Sequence, residues 1–172
     1  MVARDFVLSL IILYGELCAL KWSDINQEDG SIRINKTVQR IKSFNGNPKT
    51  IVAITTPKSG KSVREIPLPG FITDLLRPAK FSDSYFLSGS DKLIEPRLMQ
   101  YHFKHVLEKA NLPSMNFHIT RHIFATNCIS SGFDIKTLSE ILGHASVEIT
   151  LNRYVHTSRG RKQECMALLQ FF

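Results

Sequence analysis

Residues in the last third of the chain could act together on a phosphate ester. His118 and Arg121 are three positions apart, so both side chains face one side of a predicted helix near its N-terminus, where anions bind readily. Arg121 offers a planar fork of donors that suits a phosphate. His144 follows Gly143, a residue that typically ends a helix and fixes the direction of the chain after it.

Tyr154 lies ten residues after His144 and is a candidate nucleophile. A phenol has an ordinary pKa of about 10 and attacks poorly unless cationic neighbours stabilise its oxyanion and the transition state. Arg121, His118 and His144 are candidate neighbours of this kind. Lys58 lies in a predicted tight turn, from which a flexible ammonium can reach a leaving oxygen as a general acid.

Other interpretations of the same residues are open. A tyrosine near a helix end usually packs against its neighbours, and a lysine such as Lys58 in a glycine-containing turn is usually solvated. His118, His122 and His144 leave open a zinc hydrolase. Against it, the zinc protease motif has a glutamate after its first histidine, and Ile119 stands there in this chain.

Three predicted helices hold these residues in the last third of the chain. Gly132 closes the first, Asp134 caps the second and Gly143 ends it, and Ser146 caps the third. Further helices are predicted over residues 4–20, with an interruption at Gly15, and from Pro96 onward.

Alternating apolar residues predict strands between these helices. The strands cover residues 31–41, 50–55 and 64–68, with turns at 45–48 and 58–61. We therefore expect an α+β fold that is mainly helical, with a small three-stranded antiparallel sheet built from two hairpins.

Composition limits the class of protein. The 172 residues suit one domain, and a formal charge of +7 favours a polyanionic partner such as nucleic acid. The longest apolar stretch, 6–14, is too short to cross a bilayer, and no signal cleavage site follows it, so we expect a cytoplasmic protein. Cys18, Cys128 and Cys165 are too widely spaced to indicate a disulfide framework or a thiolate metal site.

Three sequence blocks occur in series at the C-terminal end: 117–122 (FHITRH), 142–146 (LGHAS) and 154–156 (YVH). Two supporting blocks, 16–25 and 56–68, precede them. Together they resemble the catalytic domain of the tyrosine recombinases, the integrase family of phages and conjugative transposons. A type IB topoisomerase shares the chemistry, but the second and third blocks favour an integrase.

The resemblance implies a reaction and a role for each candidate. Tyr154 would attack a scissile DNA phosphate, leaving a 3′-phosphotyrosyl link and a free 5′-hydroxyl, with no metal or nucleotide cofactor. Arg121 would bind the non-bridging oxygens and His144 would hydrogen-bond the phosphate. His118 would assist proton transfer at the nucleophile, and Lys58 would protonate the leaving oxygen.

The resemblance also implies partners. The substrate would be double-stranded DNA attachment sites, bound by a homotetramer in the bacterial cytoplasm, at the nucleoid. The tail 160–172 would dock into a neighbouring protomer or pack within its own. Residues 1–172 would be the catalytic domain, without the family's core-binding and arm-binding domains. Plausible phosphate contacts are Lys36, Arg40, Lys42, Lys58 and Lys61.

One departure from the family pattern lies between Gly15 and Glu16. About five residues, including the first phosphate-binding arginine, are missing there, and Arg4 lies at the wrong end of the helix to replace it. Losing one charged donor costs about 10² to 10³ in rate, so the chain would be a cleavage-deficient DNA-binding module of the same fold. We favour instead a loop that the sequence omits, because a true deletion would rotate one helix against the next.

Overall fold

The computed structural model describes residues 8, 11–44, 47–56, 62–76, 83–154 and 166–167. The helices within these ranges are α1 (Tyr14–Ala19), α2 (Gly70–Leu76), α3 (Pro96–Lys109), α4 (His118–Ser130), α5 (Ile135–Leu142) and α6 (Val147–Tyr154), with a 3₁₀ turn at Trp22–Asp24. The strands are β1 (Ile25–Asn26), β2 (Ser31–Ile34), β3 (Thr37–Lys42), β4 (Thr50–Thr55) and β5 (Arg64–Pro67).

The strands form a three-stranded antiparallel sheet in the order β1-β2-β5 and a separate β3-β4 hairpin. The expected small three-stranded sheet is therefore confirmed, but its strands differ from the predicted ones. The predicted strand 31–41 breaks at residues 35–36, and strand 50–55 pairs with its second half only. Strand 64–67 pairs with the first half, with Ser31 opposite Pro67.

Helix α5 begins and ends as the sequence predicts. Asp134 caps α5 by accepting a hydrogen bond from the Thr137 amide at 2.9 Å. Gly143 ends the same helix with a φ of +67°, a left-handed conformation that glycine adopts without strain. Local capping therefore fixes the end of α5 and, with it, the position of His144 directly after the helix.

The N-terminal helix differs from its prediction. Gly15 lies inside α1 and does not interrupt it, and Glu16 follows directly, so the helix is continuous where the family pattern has an additional segment with the first phosphate-binding arginine. The expectation of an omitted loop there stays a prediction. Gly15 packs on β3, where an added Cβ would lie 2.7 Å from the carbonyl oxygen of Val38. The absence of a Cβ at this glycine permits the close approach of helix and strand.

The apolar side chains form two clusters. The main core joins α1, the sheet, α2 and α3, and its largest fully buried members include Phe86, Phe103 and Leu17. The C-terminal cluster consists of the buried residues Ala125, Cys128, Leu138, Leu142 and Tyr154. Cys18 and Cys128 are buried and free, and Cys165 lies outside the described residues. None of the described helices is both long and apolar enough to cross a membrane.

Candidate active site

The N-terminus of α4 carries His118 and Arg121 one turn apart. Just before this helix, the side chain of Asn116 accepts a hydrogen bond from the His118 amide at 3.1 Å. The His118 ring packs against the ring of Tyr14, with 5.6 Å between centroids. Burial, followed by the charges of Arg121 and Arg153, lowers the pKa of His118 below its usual value. His118 is therefore held in its neutral form near pH 7, in which it can accept a proton.

Arg121 is buried, with 7% of its surface exposed. Its Nη1 donates to the carbonyl oxygen of Ile11 at 3.3 Å, and its Nη2 donates to that of Leu142. Burial and the neighbouring Arg64 lower the pKa of Arg121 to about 10, against the opposing effect of Glu16. The guanidinium thus stays charged at neutral pH, and its bonds tie α4 to the end of α5.

His144 lies directly after α5 and faces α6. Its Nδ1 shares a hydrogen bond of 2.8 Å with the hydroxyl of Thr150, a fully buried residue of α6. Burial is the main cause that lowers the pKa of His144 to about 4, and the charges of Arg121, Arg153 and Arg64 act in the same direction. His144 is therefore neutral above about pH 5, and Thr150 fixes its ring.

Tyr154 ends α6 in the C-terminal cluster, with 9% of its surface exposed. Its ring stacks nearly parallel to that of His144, with 6.2 Å between centroids and 6° between planes. On another side it meets the ring of His122 at 5.0 Å. The structure thus brings His118, Arg121, His144 and Tyr154 together where α4 meets α6 and the end of α5.

Sequence reasoning did not single out Arg64 and Glu16 as a pair. Nη1 and Nη2 of Arg64 donate to the two carboxylate oxygens of Glu16 at 2.8 and 2.9 Å, and the side chains are 7% and 5% exposed. The available signal was Glu16 itself, since a carboxylate within an apolar helix needs a buried partner. Arg153 was also passed over; it is exposed beside Tyr154, and its charge lowers the pKa of His144.

Three of the five predicted DNA contacts fall within the described residues. Lys36 pairs with Asp24 at 3.2 Å, and Arg40 pairs with Glu95 at 2.8 Å. Lys42 is exposed at the end of β3. Lys58 and Lys61 lie outside the described residues.

The histidines of the zinc interpretation do not form a metal centre within the described ranges. No group of three or more histidine, cysteine, aspartate or glutamate side chains there is placed to hold a metal ion. The rings of His122 and His144 instead both pack against the ring of Tyr154.

Known proteins resemble this chain over nearly its whole length. A tyrosine recombinase XerC-like protein of Caldanaerobacter subterraneus subsp. tengcongensis is 28% identical, over 90% of this chain and 45% of its own length. A tyrosine recombinase of Agathobacter rectalis is 29% identical, over 94% and 49%. The chain thus spans about half the length of these curated relatives.

A solved structure shares the fold. The Tn1549 transposon integrase, in complex with a circular intermediate DNA, superposes with a TM-score of 0.76 at 22% identity, covering 97% of this chain and 57% of the other. The model of the phage integrase family matches residues 5–161, which include α4, α5, α6 and the whole cluster around Tyr154. This chain therefore belongs to the phage integrase family.

Proposed function

We propose that this chain is the catalytic unit of a site-specific DNA recombinase from a prophage or conjugative transposon. It cuts double-stranded DNA at attachment sites and rejoins it through a 3′-phosphotyrosyl intermediate. The observation that carries this proposal is the meeting of Tyr154, His144 and Arg121. The phenol of Tyr154 packs against the His144 imidazole and lies close enough to the buried Arg121 guanidinium to interact with it electrostatically, which suits phosphoryl transfer, where positioned cations stabilise the developing charge.

The reaction uses side chains alone. The Tyr154 oxygen attacks phosphorus while the bond to the 5′-oxygen breaks, and the phenolic proton passes to His118. The leaving 5′-oxygen takes a proton from Lys58. Arg121 and His144 bind the non-bridging oxygens as negative charge develops on them.

Rejoining reverses these steps with a 5′-hydroxyl, and recombination follows when that hydroxyl belongs to another duplex. Because the tyrosyl ester retains the energy of the broken bond, no nucleotide cofactor is needed. The reaction also needs no metal ion, so we expect adduct formation to be unchanged in excess EDTA.

A trapping experiment tests the proposal. The 172-residue chain is incubated with DNA duplexes that carry a randomised core and a nick, so that cleavage near the nick releases a short fragment and prevents rejoining. We expect a covalent protein–DNA adduct that survives denaturation, and sequencing of the attached DNA yields the preferred site. Tyr154→Phe should bind the same DNA and form no adduct. Binding without any wild-type adduct would instead support a cleavage-deficient DNA-binding module.

We further propose that the chain assembles as a tetramer on DNA through its tail. Within the described residues, an apolar cavity of about 420 Å³ is lined by side chains of α2, α4, α5 and the segment after β5, including Phe71, Phe124, Phe133 and Ile141. The tail 160–172 lies outside the described residues except for 166–167. Its sequence repeats apolar residues at helical spacing, which suits such a groove on a second copy. Removing residues 160–172 should leave DNA-bound monomers in analytical ultracentrifugation; a tetramer of unchanged stability would contradict this assignment.

A further inference from the structure

One side chain, that of Arg64, joins three elements near the candidate active site. Its Nη1 and Nη2 donate to the carboxylate of Glu16 in α1, at 2.8 and 2.9 Å. Its Nε donates to the carbonyl oxygen of Ile141 in α5 at 2.8 Å. Its Nη1 also donates to the carbonyl oxygen of Ser62 at 3.2 Å. Four of the five N–H donors of this guanidinium are engaged, so it is a connector within the protein.

The burial of this pair fixes its geometry. The side chains of Arg64 and Glu16 are 7% and 5% exposed, so water does not compete for their hydrogen bonds. Glu16 accepts a further bond from the Leu13 amide at 2.9 Å, which holds the carboxylate from a second side. A bidentate pair with additional hydrogen bonds is the form in which buried charges are tolerated.

The end of α5 receives both buried guanidiniums. The last carbonyls of a helix have no partners within it. Here Arg64 donates a hydrogen bond to the carbonyl oxygen of Ile141, and Arg121 donates one to the carbonyl oxygen of Leu142. Next along the chain, a Cβ added to Gly143 would lie 2.7 Å from Nη1 of Arg64. The Arg64 guanidinium thus packs against the backbone of the residue that immediately precedes His144.

We infer that Arg64 is a positioning residue for DNA strand transfer, which holds the turn 141–143 so that His144 meets the scissile phosphate. This inference rests on the proposed function. Arg64 acts through His144 and does not itself contact DNA, because its donors are used within the protein. The opposite side of His144 is fixed by Thr150, so the imidazole is held between α5 and α6.

The substitution Arg64→Lys tests this role while keeping the charge. A lysine has one nitrogen in place of three and no donor at the position of Nε, so it cannot reproduce both the bidentate bond to Glu16 and the bond to the Ile141 carbonyl, and we expect the turn to be released. On nicked duplexes that the wild type cleaves, we expect the single-turnover rate constant to fall about 10- to 100-fold, as a misplacement of about 1 Å does. DNA affinity should stay within about twofold. Incomplete folding alone would lower the fraction of protein that reacts and leave this rate constant unchanged.

A matched control comes from the neighbouring strand. Arg33 of β2 is exposed and stands opposite Glu65 in the sheet. Arg33→Lys should change neither the rate constant nor the reacting fraction.

A double-mutant cycle distinguishes action through His144 from general loosening. In a His144→Ala background, Arg64→Lys should lower the single-turnover rate constant by no more than about twofold, because the imidazole that Arg64 positions is already absent. In a Lys58→Ala background the full loss should persist. If Arg64→Lys lowers the rate constant by the same factor in the His144→Ala background as in the wild type, the inference is overturned.

Glu16→Gln approaches the same contact from the other side and serves if Arg64→Lys does not fold. It removes one charged partner of the Arg64 guanidinium while keeping the size of the side chain, so we expect a lowered rate constant that is likewise non-additive with His144→Ala. A lowered reacting fraction with an unchanged rate constant would contradict the role of Arg64. If the wild type forms no adduct, the proposed function fails; wild-type cleavage with additive losses refutes the positioning role alone.

Discussion

The main core and the C-terminal cluster differ in size and in what they contain. The main core buries twenty apolar residues of the described chain, from Leu8 to Phe117, and none of the proposed reacting side chains. The C-terminal cluster has five buried members, and one of them is the proposed nucleophile, Tyr154. Stability and chemistry are thus concentrated in different parts of one molecule.

Two buried arginines, Arg121 and Arg64, lie where the main core meets the C-terminal cluster. Arg121 reaches from α4 to Ile11 on one side and to Leu142 on the other. Arg64 reaches from β5 to Glu16 and to Ile141. Buried polar bonds of this kind are costly to leave unmade, so they hold the small cluster in one position against the large core.

The largest effect on cleavage, short of removing the nucleophile, should come from Arg121. Arg121→Lys retains a charge but loses the fork that a phosphate requires, so we expect the single-turnover cleavage rate to fall about 10²- to 10³-fold. The rate is measured on nicked duplexes that the wild type cleaves. A loss below about tenfold would place the phosphate-binding cation elsewhere, with exposed Arg153 as the next candidate.

Truncations in the two clusters should separate stability from rate. Phe103→Ala in the main core should lower the free energy of unfolding by about 3 to 5 kcal/mol and leave the rate constant of the folded fraction unchanged. Leu138→Ala, in the same cluster as Tyr154, should cost about 2 to 5 kcal/mol and also slow cleavage. Denaturant titration and single-turnover kinetics measure both quantities. Equal rate constants in the two variants would break the distinction between the clusters.

The stability of the C-terminal region should depend on pH. The pKa of His144 falls from 6.5 to about 4 on folding, so the unfolded chain binds more protons between these values. Stability therefore decreases as the pH is lowered from about 6.5 toward 4, and His144→Asn should flatten this dependence. His105→Asn, at an exposed position on α3, serves as the matched control in thermal melts across this range. An unchanged pH dependence in His144→Asn would show that His144 is not the group concerned.

The smallest effect concerns the lysines that we expect to contact DNA phosphates. Lys42 is exposed, so Lys42→Gln should lower the salt dependence of DNA binding by about one unit of slope. Lys36 already pairs with Asp24, so Lys36→Gln should lower the slope by less. Binding titrations at several salt concentrations give these slopes. Equal slopes in both variants and the wild type would indicate a solvated face.

Local signals predicted much of the fold. Asp134 and Gly143 lie within one turn of the helix that they cap, so the sequence alone indicates where α5 begins and ends. The local signal for the split of the predicted strand 31–41 is weak: Asn35 and Lys36 at the break are polar, but the alternation resumes in the same phase at Val38. Pairing of its two halves with different partners depends on contacts far along the chain, which periodicity does not report.

The candidate site shows the same limit. The spacing of His118 and Arg121 and the turn before His144 could be predicted because they are local. The partners of charged residues could not: Arg64 meets Glu16 across 48 positions and Arg40 meets Glu95 across 55. These long-range pairs decide which cations are free to meet a phosphate, and only the folded structure supplies them.

The identity of the tyrosine that attacks DNA tests the proposed mechanism most directly. Three of the described tyrosines lie beside histidines: Tyr154 against His144 and His122, Tyr14 against His118, and Tyr101 against His102. Digestion of the trapped adduct and mass spectrometry of the peptide that carries the nucleotide remnant will show which residue is joined to the 3′-phosphate. We predict Tyr154, with Tyr14→Phe still forming adduct. A remnant on Tyr14 or on any residue other than Tyr154 would contradict the assignment of the nucleophile and of the site around it.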